Sequence, residues 1–375
     1  MLRSLTPMRA SSKDRVLTQT ARLSSAGREV HLDEWVTPDV CDERSQLRPG
    51  KILEWMDVVG VLAATRHCRK PVVTASVDGL RLRHPIRVGE RVTMTAAIGY
   101  TSERSMGVSV TMTHGLPRAD QPPTAVQGYA TFVALDGAGN ALKVPQIVPE
   151  APVEIARFRE GSLRREFRKK LASGQLPSLP ELPPNAPPWE RIALIREFLK
   201  VLPLRMPWDR GDLSRARSRR ESYVHKIEPV LASKLNFHET LYGGTLMRWL
   251  ESAASLSAQA YTGGAAVQLA ALHGLTFLRP VRKHVFVHIR CAVAHVAEGL
   301  TVFASVQAED PLQGTYEDTL RAFLTYSCAD KTRLPLFECA GDDERALFTE
   351  VEHRLALQRA LFNLEGTAAP HQVTQ

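Results

Sequence analysis

The chain has 375 residues, with 44% hydrophobic and 23% charged residues and a formal net charge of +8. That length holds two domains with full cores, and the composition is ordinary for a globular protein. No apolar run approaches the roughly 20 residues a membrane helix needs, and five scattered cysteines without a CxxC exclude a disulfide framework or a cysteine-rich zinc site.

In chain order, Met1 to Lys13 carry Arg, Lys, Ser and Leu but no acid, the composition of a mitochondrial targeting segment. Otherwise a cytoplasmic location is expected. Val16 to Leu23 reads as an extended segment, followed by a loop and an apolar helix from Gly50 to His67. Strand-like runs follow at Val72–Leu82, Arg91–Tyr100, Met106–Thr113 and Ala125–Leu135. Glu154 to Ala172 reads as a basic amphipathic helix, and the proline-rich Gln175 to Pro188 cannot stay helical. Two cationic stretches, Arg164 to Lys170 and Arg210 to Arg220, are either solvated faces or partner contacts. The pattern then restarts. An extended Tyr223 to Leu231 precedes a helix from Gly244 to Tyr261 and strands at Ala266–Phe277, Val285–Ala294, Leu300–Glu309 and Thr315–Ser327. Asp342 to Leu364 predicts one more amphipathic helix.

The restart is a repeat. A shift of 194 lays Gly50 on Gly244, Leu53 on Met247, Trp55 on Trp249 and Asp57 on Glu251. A shift of 195 lays Pro85-Ile86-Arg87 on Pro280-Val281-Arg282. Two long copies mean a duplicated domain, since a solenoid needs several short units. One helix followed by antiparallel strands gives an α+β unit, its helix wrapped by a curved sheet.

These residues resemble the tandem hotdog-fold acyl-CoA thioesterases. The second copy carries the family's loop asparagine, Asn236, then Gly243-Gly244 and the helix run Arg248-Trp249-Leu250-Glu251. The first carries Gly50, Glu54-Trp55-Met56 and Asp57, then Val72 to Asp78 and Pro85 to Gly89 as the following strand and turn. The resemblance implies two hotdog domains, at 15–150 and 221–340, paired through one joined sheet. Around them lie a targeting segment at 1–14, a basic and proline-rich connector at 151–220 and a terminal helix and tail at 341–375.

It also implies composite sites, the asparagine from one unit meeting the helix acid of the other. Asn236 with Asp57 keeps the family's chemistry, whereas Asp42 with Glu251 has lost both parts. Gly243-Gly244 permits close backbone approach at a helix start, where Arg48-Pro49 adds bulk and deletes an N–H. Asp57 is then the general base or nucleophile, Asn236 orients water or carbonyl, and N–H groups near Gly243 and Gly244 form the oxyanion hole. Asp42 and Glu251 are expected to be solvated or salt-bridged.

No cofactor is implied, because coenzyme A is part of the substrate. Arg66, Arg69, Lys70, Arg87 and Arg282 are the candidate contacts to its phosphates. His273 and His284 stand where the first copy has Asp78 and Gly89, departures that weaken coenzyme A binding on the second copy's surface. Cys68 reads as core. By analogy the assembly is a homotrimer of double units. The alternative is a non-catalytic scaffold in a mitochondrial ribonucleoprotein, the one reading that involves nucleic acid.

Overall fold

A computed structural model of the chain describes residues 29–115, 123–172, 222–297, 299–328 and 342–365. The first half contains β1 (Glu29–Trp35), α1 (Pro49–Cys68), β2 (Val72–Leu82), β3 (Arg91–Thr101), β4 (Met106–Gly115), β5 (Thr124–Ala134) and α2 (Pro152–Ala172). The second contains β6 (Val224–Pro229), α3 (Gly243–Tyr261), β7 (Val267–Phe277), β8 (Phe286–Val296), β9 (Leu300–Asp310), β10 (Thr315–Cys328) and α4 (Asp342–Glu365). All ten strands join one antiparallel sheet, in the order β1-β3-β4-β5-β2-β7-β10-β9-β8-β6.

The two halves meet where β2 pairs with β7, Ser76 opposite Thr276, Val77 opposite Leu275, Leu80 opposite Leu272 and Arg81 opposite Ala271. Adding 195 to Ser76 gives Ala271, and adding 195 to its neighbour's image, Arg81, gives Thr276, so the seam maps onto itself. The repeat read in sequence is thus a local two-fold in space. One residue of slip would turn every seam side chain to the opposite face, so the register fixes which halves of the two helices meet.

α1 and α3 lie on the same face of this sheet. Both are buried on most sides, α1 through Leu53, Met56, Val59 and Ala63 and α3 through Leu246, Met247, Leu250 and Ala254. Small residues allow the close fit. A Cβ on Gly60 would stand 2.5 Å from the Phe132 ring, and one on Gly128 would stand 2.5 Å from the Met56 methyl.

The structure differs from the sequence reading in three places. The edge strand beside β3 is Glu29–Trp35, while Val16–Leu23, the targeting segment, Gln175–Pro188 and Arg210–Arg220 lie outside the described residues. The repeat also runs further than the comparison carried it. α2 and α4 cover the other face of the sheet, α4 in a separate apolar cluster of Ala294, Phe303, Phe323, Leu347 and Val351. Each helix carries Phe-x-Glu-x-x-x-Arg, at Phe158, Glu160 and Arg164 and again at Phe348, Glu350 and Arg354. Each arginine pairs with its own glutamate, at 2.5 and 2.6 Å. Each also stacks on a strand aromatic, Arg164 on Tyr129 at 3.8 Å and Arg354 on Phe323 at 4.3 Å. Arg164, expected among solvated or partner-binding cations, is buried. Arg168 pairs with Asp78 of β2.

Candidate active site

α1 and α3 pack beside each other, and the N-terminus of each lies against the acid of the other. The Gly244 N–H donates to Asp57 Oδ2 at 2.8 Å, and the Thr74 hydroxyl donates to Oδ1 at 2.5 Å. Glycine lets the backbones approach closely here, since a Cβ on Gly244 would lie 3.0 Å from the Glu54 Cα and 3.2 Å from the Asp57 Cβ. Asp57 is only 5% exposed. Burial pushes its carboxyl above the ordinary range, opposed by the bonds from Thr74 and Gly244 and reinforced by the nearby Glu54 charge.

The helix start leaves one donor over. α3 is preceded by Tyr242, which makes no side-chain cap. Gly243, at the first helical position, has no acceptor for its N–H among the described residues. Such an N–H, at the positive end of a helix, is suited to hold developing negative charge.

Asn236 sits in the loop before α3. Its carboxamide oxygen accepts from the His238 N–H at 2.9 Å, the Thr240 N–H at 3.2 Å and the Thr240 hydroxyl at 3.0 Å. This locks the turn and commits the oxygen. The amide NH2 makes no bond to the described residues and remains as a donor pair.

Asp57, Thr74, Asn236 and Gly243 line one cavity of about 380 Å³ between the halves, with Val61, Val72, Val73, Phe237 and Tyr242 as apolar walls and Arg69 and Lys70 also lining it. A second cavity of about 630 Å³ shares Val73, Thr74, Asn236, His238 and Gly243 with the first. Leu246, Phe277, Arg279, Arg282 and Lys283 line its far side.

Three of the four expected catalytic positions, Asp57, Asn236 and Gly243, therefore share a cavity. Gly244 stands beside them, but its N–H is engaged by Asp57 and is not an open oxyanion donor. Among the cations, Arg69 and Lys70 line the first cavity and Arg282 the second. Arg66 is exposed on α1 and lines neither. Arg87 is bridged to Gln46 beside the Asp42 loop, on the far side of the pseudo-two-fold. Thr74 was missed. The 195 shift places Leu269 opposite it, and that mismatch was the available signal.

The Asp42 loop folds as the Asn236 loop does, its carboxylate accepting from the Arg44 and Gln46 N–H groups at 2.9 Å each. Glu251 departs from expectation. It is 7% exposed, neither solvated nor salt-bridged, and burial pushes its carboxyl up to about 7. The Tyr326 hydroxyl, 3.4 Å from Oε1, and the Gly50 N–H work against that rise. His273 bonds the Thr325 hydroxyl at 2.7 Å beneath α4, and His284 occupies an exposed left-handed turn at φ 65°. Neither lines the two cavities. Cys68 is buried.

The Thioesterase superfamily model matches residues 49–118 and 238–307. The chain is 35% identical over 138 residues to a human cytosolic acyl coenzyme A thioester hydrolase, covering 36% of this chain and 35% of that one. It spans only about that third of the first curated relatives it matches. It is 31% identical over 134 residues to an uncharacterized acyl-CoA thioester hydrolase, YkhA, of Bacillus subtilis, covering 36% of this chain and 78% of the relative. The fold also matches the crystal structure of a putative oleoyl thioesterase from Lactobacillus plantarum, with a TM-score of 0.50 and 9% identity, over 81% of this chain and 97% of that one.

Proposed function

The chain belongs to the thioesterase superfamily, in its tandem hotdog form, and on that premise we propose that it hydrolyses acyl-CoA thioesters at one composite site. The supporting observation is that Asp57 and Asn236, from opposite halves, line the same cavity beside the unpaired Gly243 N–H. Two cavities meeting at Thr74, Asn236 and Gly243 suit a substrate with two arms and a reacting bond between them. The apolar one takes the acyl chain. The wider one, with Arg279, Arg282 and Lys283, takes the phosphate-bearing arm, and Arg69 and Lys70 are the further cations at hand.

The thioester carbonyl oxygen rests at the Gly243 N–H. The Asn236 NH2 orients a water or the carbonyl, and Asp57 takes the water proton as the oxygen attacks the carbonyl carbon. Burial raises the Asp57 carboxyl above its ordinary range, which makes it a stronger base, and the Thr74 bond keeps it ionisable. Negative charge on the former carbonyl oxygen is held by the helix start. The C–S bond then breaks, and the proton on Asp57 passes to the departing thiolate. A free acid and coenzyme A result, with no other cofactor. A homo-oligomer of double units is part of the proposal by family analogy.

Asp57→Asn keeps the size and one acceptor but removes the base. It is expected to lower kcat on acyl-CoA by about 10²–10⁴-fold with the fold retained. Full activity in a folded Asp57→Asn protein would sink the proposal.

A further inference from the structure

We propose that Glu251, whose own half-site is degenerate, is a positioning residue for the working site. It anchors the N-terminus of α1 so that Asp57 is presented correctly to Asn236 and Gly243. The inference rests on the hydrolase reading above and names a residue outside that site.

The two half-sites differ in an informative pattern. Opposite Asn236, Thr74 and Gly243 stand Asp42, Leu269 and Pro49, none of which supplies the same donor. Opposite Asp57 and Gly244 stand Glu251 and Gly50, an acid and a glycine still. The surviving pair are the two groups that touch across the seam. A Cβ on Gly50 would lie 3.1 Å from Glu251 Oε2 and 3.3 Å from the Arg248 Cα.

Among the described residues no other carboxylate accepts from the start of α1. Arg48 makes no side-chain cap and Pro49 has no N–H, so Gly50 offers the first free N–H of the helix, and it faces the Glu251 carboxylate. Glu251 is itself fixed by the Tyr326 hydroxyl, 3.2 Å from the Glu251 carbonyl oxygen and 3.4 Å from Oε1. The arrangement mirrors Asp57 on Gly244 at the other end of the helix pair. Each helix holds the start of its neighbour, and with one hold released the pair can pivot about the other. Asp57 lies two turns beyond Gly50, about 10 Å along α1. The Arg248–Glu54 and Lys51–Glu54 pairs, at 3.3 and 3.1 Å, also tie this region but are partly exposed and weak. A buried acid is costly, so the burial of Glu251 against the start of α1 calls for a duty of this kind.

The test uses the full chain and saturated acyl-CoAs from acetyl to palmitoyl, with thiol release followed at fixed pH. Glu251→Ala is expected to lower kcat about ten- to a hundredfold with KM unchanged. Glu251→Gln keeps an acceptor for the Gly50 N–H and is expected to restore most of the rate. A merely structural role would instead lower the folded fraction and leave kcat per folded molecule alone. If Glu251→Ala does not fold, Gly50→Ala, which presses on Glu251 while leaving it present, is expected to show the same kcat loss. Wild-type kcat in folded Glu251→Ala, or in folded Gly50→Ala where the former cannot be obtained, overturns the inference. Asp57→Asn serves as the control. If it is inactive while Glu251→Ala is fully active, only the positioning role fails. If it is fully active, the site reading itself fails.

Discussion

Gly243→Pro would give the working site the residue that the degenerate half carries as Pro49. The fold should accept it. Proline is favoured at the first helical position, and Tyr242 before it is already extended, at φ −56° and ψ 132°, as a residue preceding proline must be. What the ring removes is the Gly243 N–H, which in the proposed mechanism faces the carbonyl oxygen. Loss of one such donor typically costs about 2.7–4 kcal/mol of barrier, a factor of about 10²–10³ in kcat. A side chain here is also a steric change, with a Cβ 3.3 Å from Phe277 and 3.4 Å from both Asp57 oxygens. Gly243→Ala adds the same Cβ and keeps the N–H, so the ratio of the two variants isolates the donor. The assay is kcat on acyl-CoA, with thermal melting to confirm the fold. A Gly243→Pro protein as active as Gly243→Ala, both melting like wild type, would refute the assignment of the oxyanion site to this N–H.

Thr74→Val deletes the hydroxyl bonded to Asp57 and leaves the shape nearly unchanged. A hydrogen bond to a charged group contributes about 1.5–3 kcal/mol, so activity below the acid limb should fall about tenfold to over a hundredfold. The Asp57 carboxyl is pushed up further without that donor, so the acid limb of kcat/KM moves to higher pH, and superimposable profiles would count against the role given to Thr74. Glu251→Gln should change the pH dependence of stability. The Glu251 carboxyl rises from 4.5 to about 7 on folding, so wild type holds its full stability below 4.5 and loses roughly 3 kcal/mol as pH climbs to about 7. Glutamine has no proton to lose there, so the variant should gain on wild type by that amount over the same window in denaturant titrations, and parallel curves would contradict it.

The helices and most strands were readable because their signals are local and doubled. The α1 reading, Gly50 to His67, differs from Pro49–Cys68 by one residue at each end. β1 was harder, because an edge strand buries little, and only Val30 of Glu29–Trp35 is fully buried. The more apolar Val16–Leu23 drew the reading away, although carrying Val224–Pro229 back by 194 points to β1. The outer helices misled for another reason. A buried Glu-Arg pair such as Glu160 and Arg164 has the same letters as a solvated one, and only the aromatic beneath it, Tyr129, shows which it is. Within the site, Asp57, Asn236 and Gly243 lie in the best-aligned part of the repeat. The Gly244 N–H could not be allotted from sequence, since two claimants, the substrate and Asp57, stood equally near it in the chain.

Why the proposed site draws on both copies follows from the donors. The first half holds Asp57 and Thr74 but offers Asp42 and Pro49 where an amide and an N–H are needed. The Asp42 carboxylate accepts two backbone N–H groups as Asn236 does, so the loop survives, but a carboxylate has no proton to donate. Beside a carbonyl gaining negative charge it would repel where an amide attracts. The second half holds Asn236 and Gly243 but presents Glu251 with Leu269 beside β10, and so lacks the hydroxyl that keeps Asp57 ionisable. In the proposed mechanism neither half alone can polarise a carbonyl and deprotonate a water. α1 and α3 hold each other's starts, and in the proposed mechanism that contact joins the base of one half to the donors of the other.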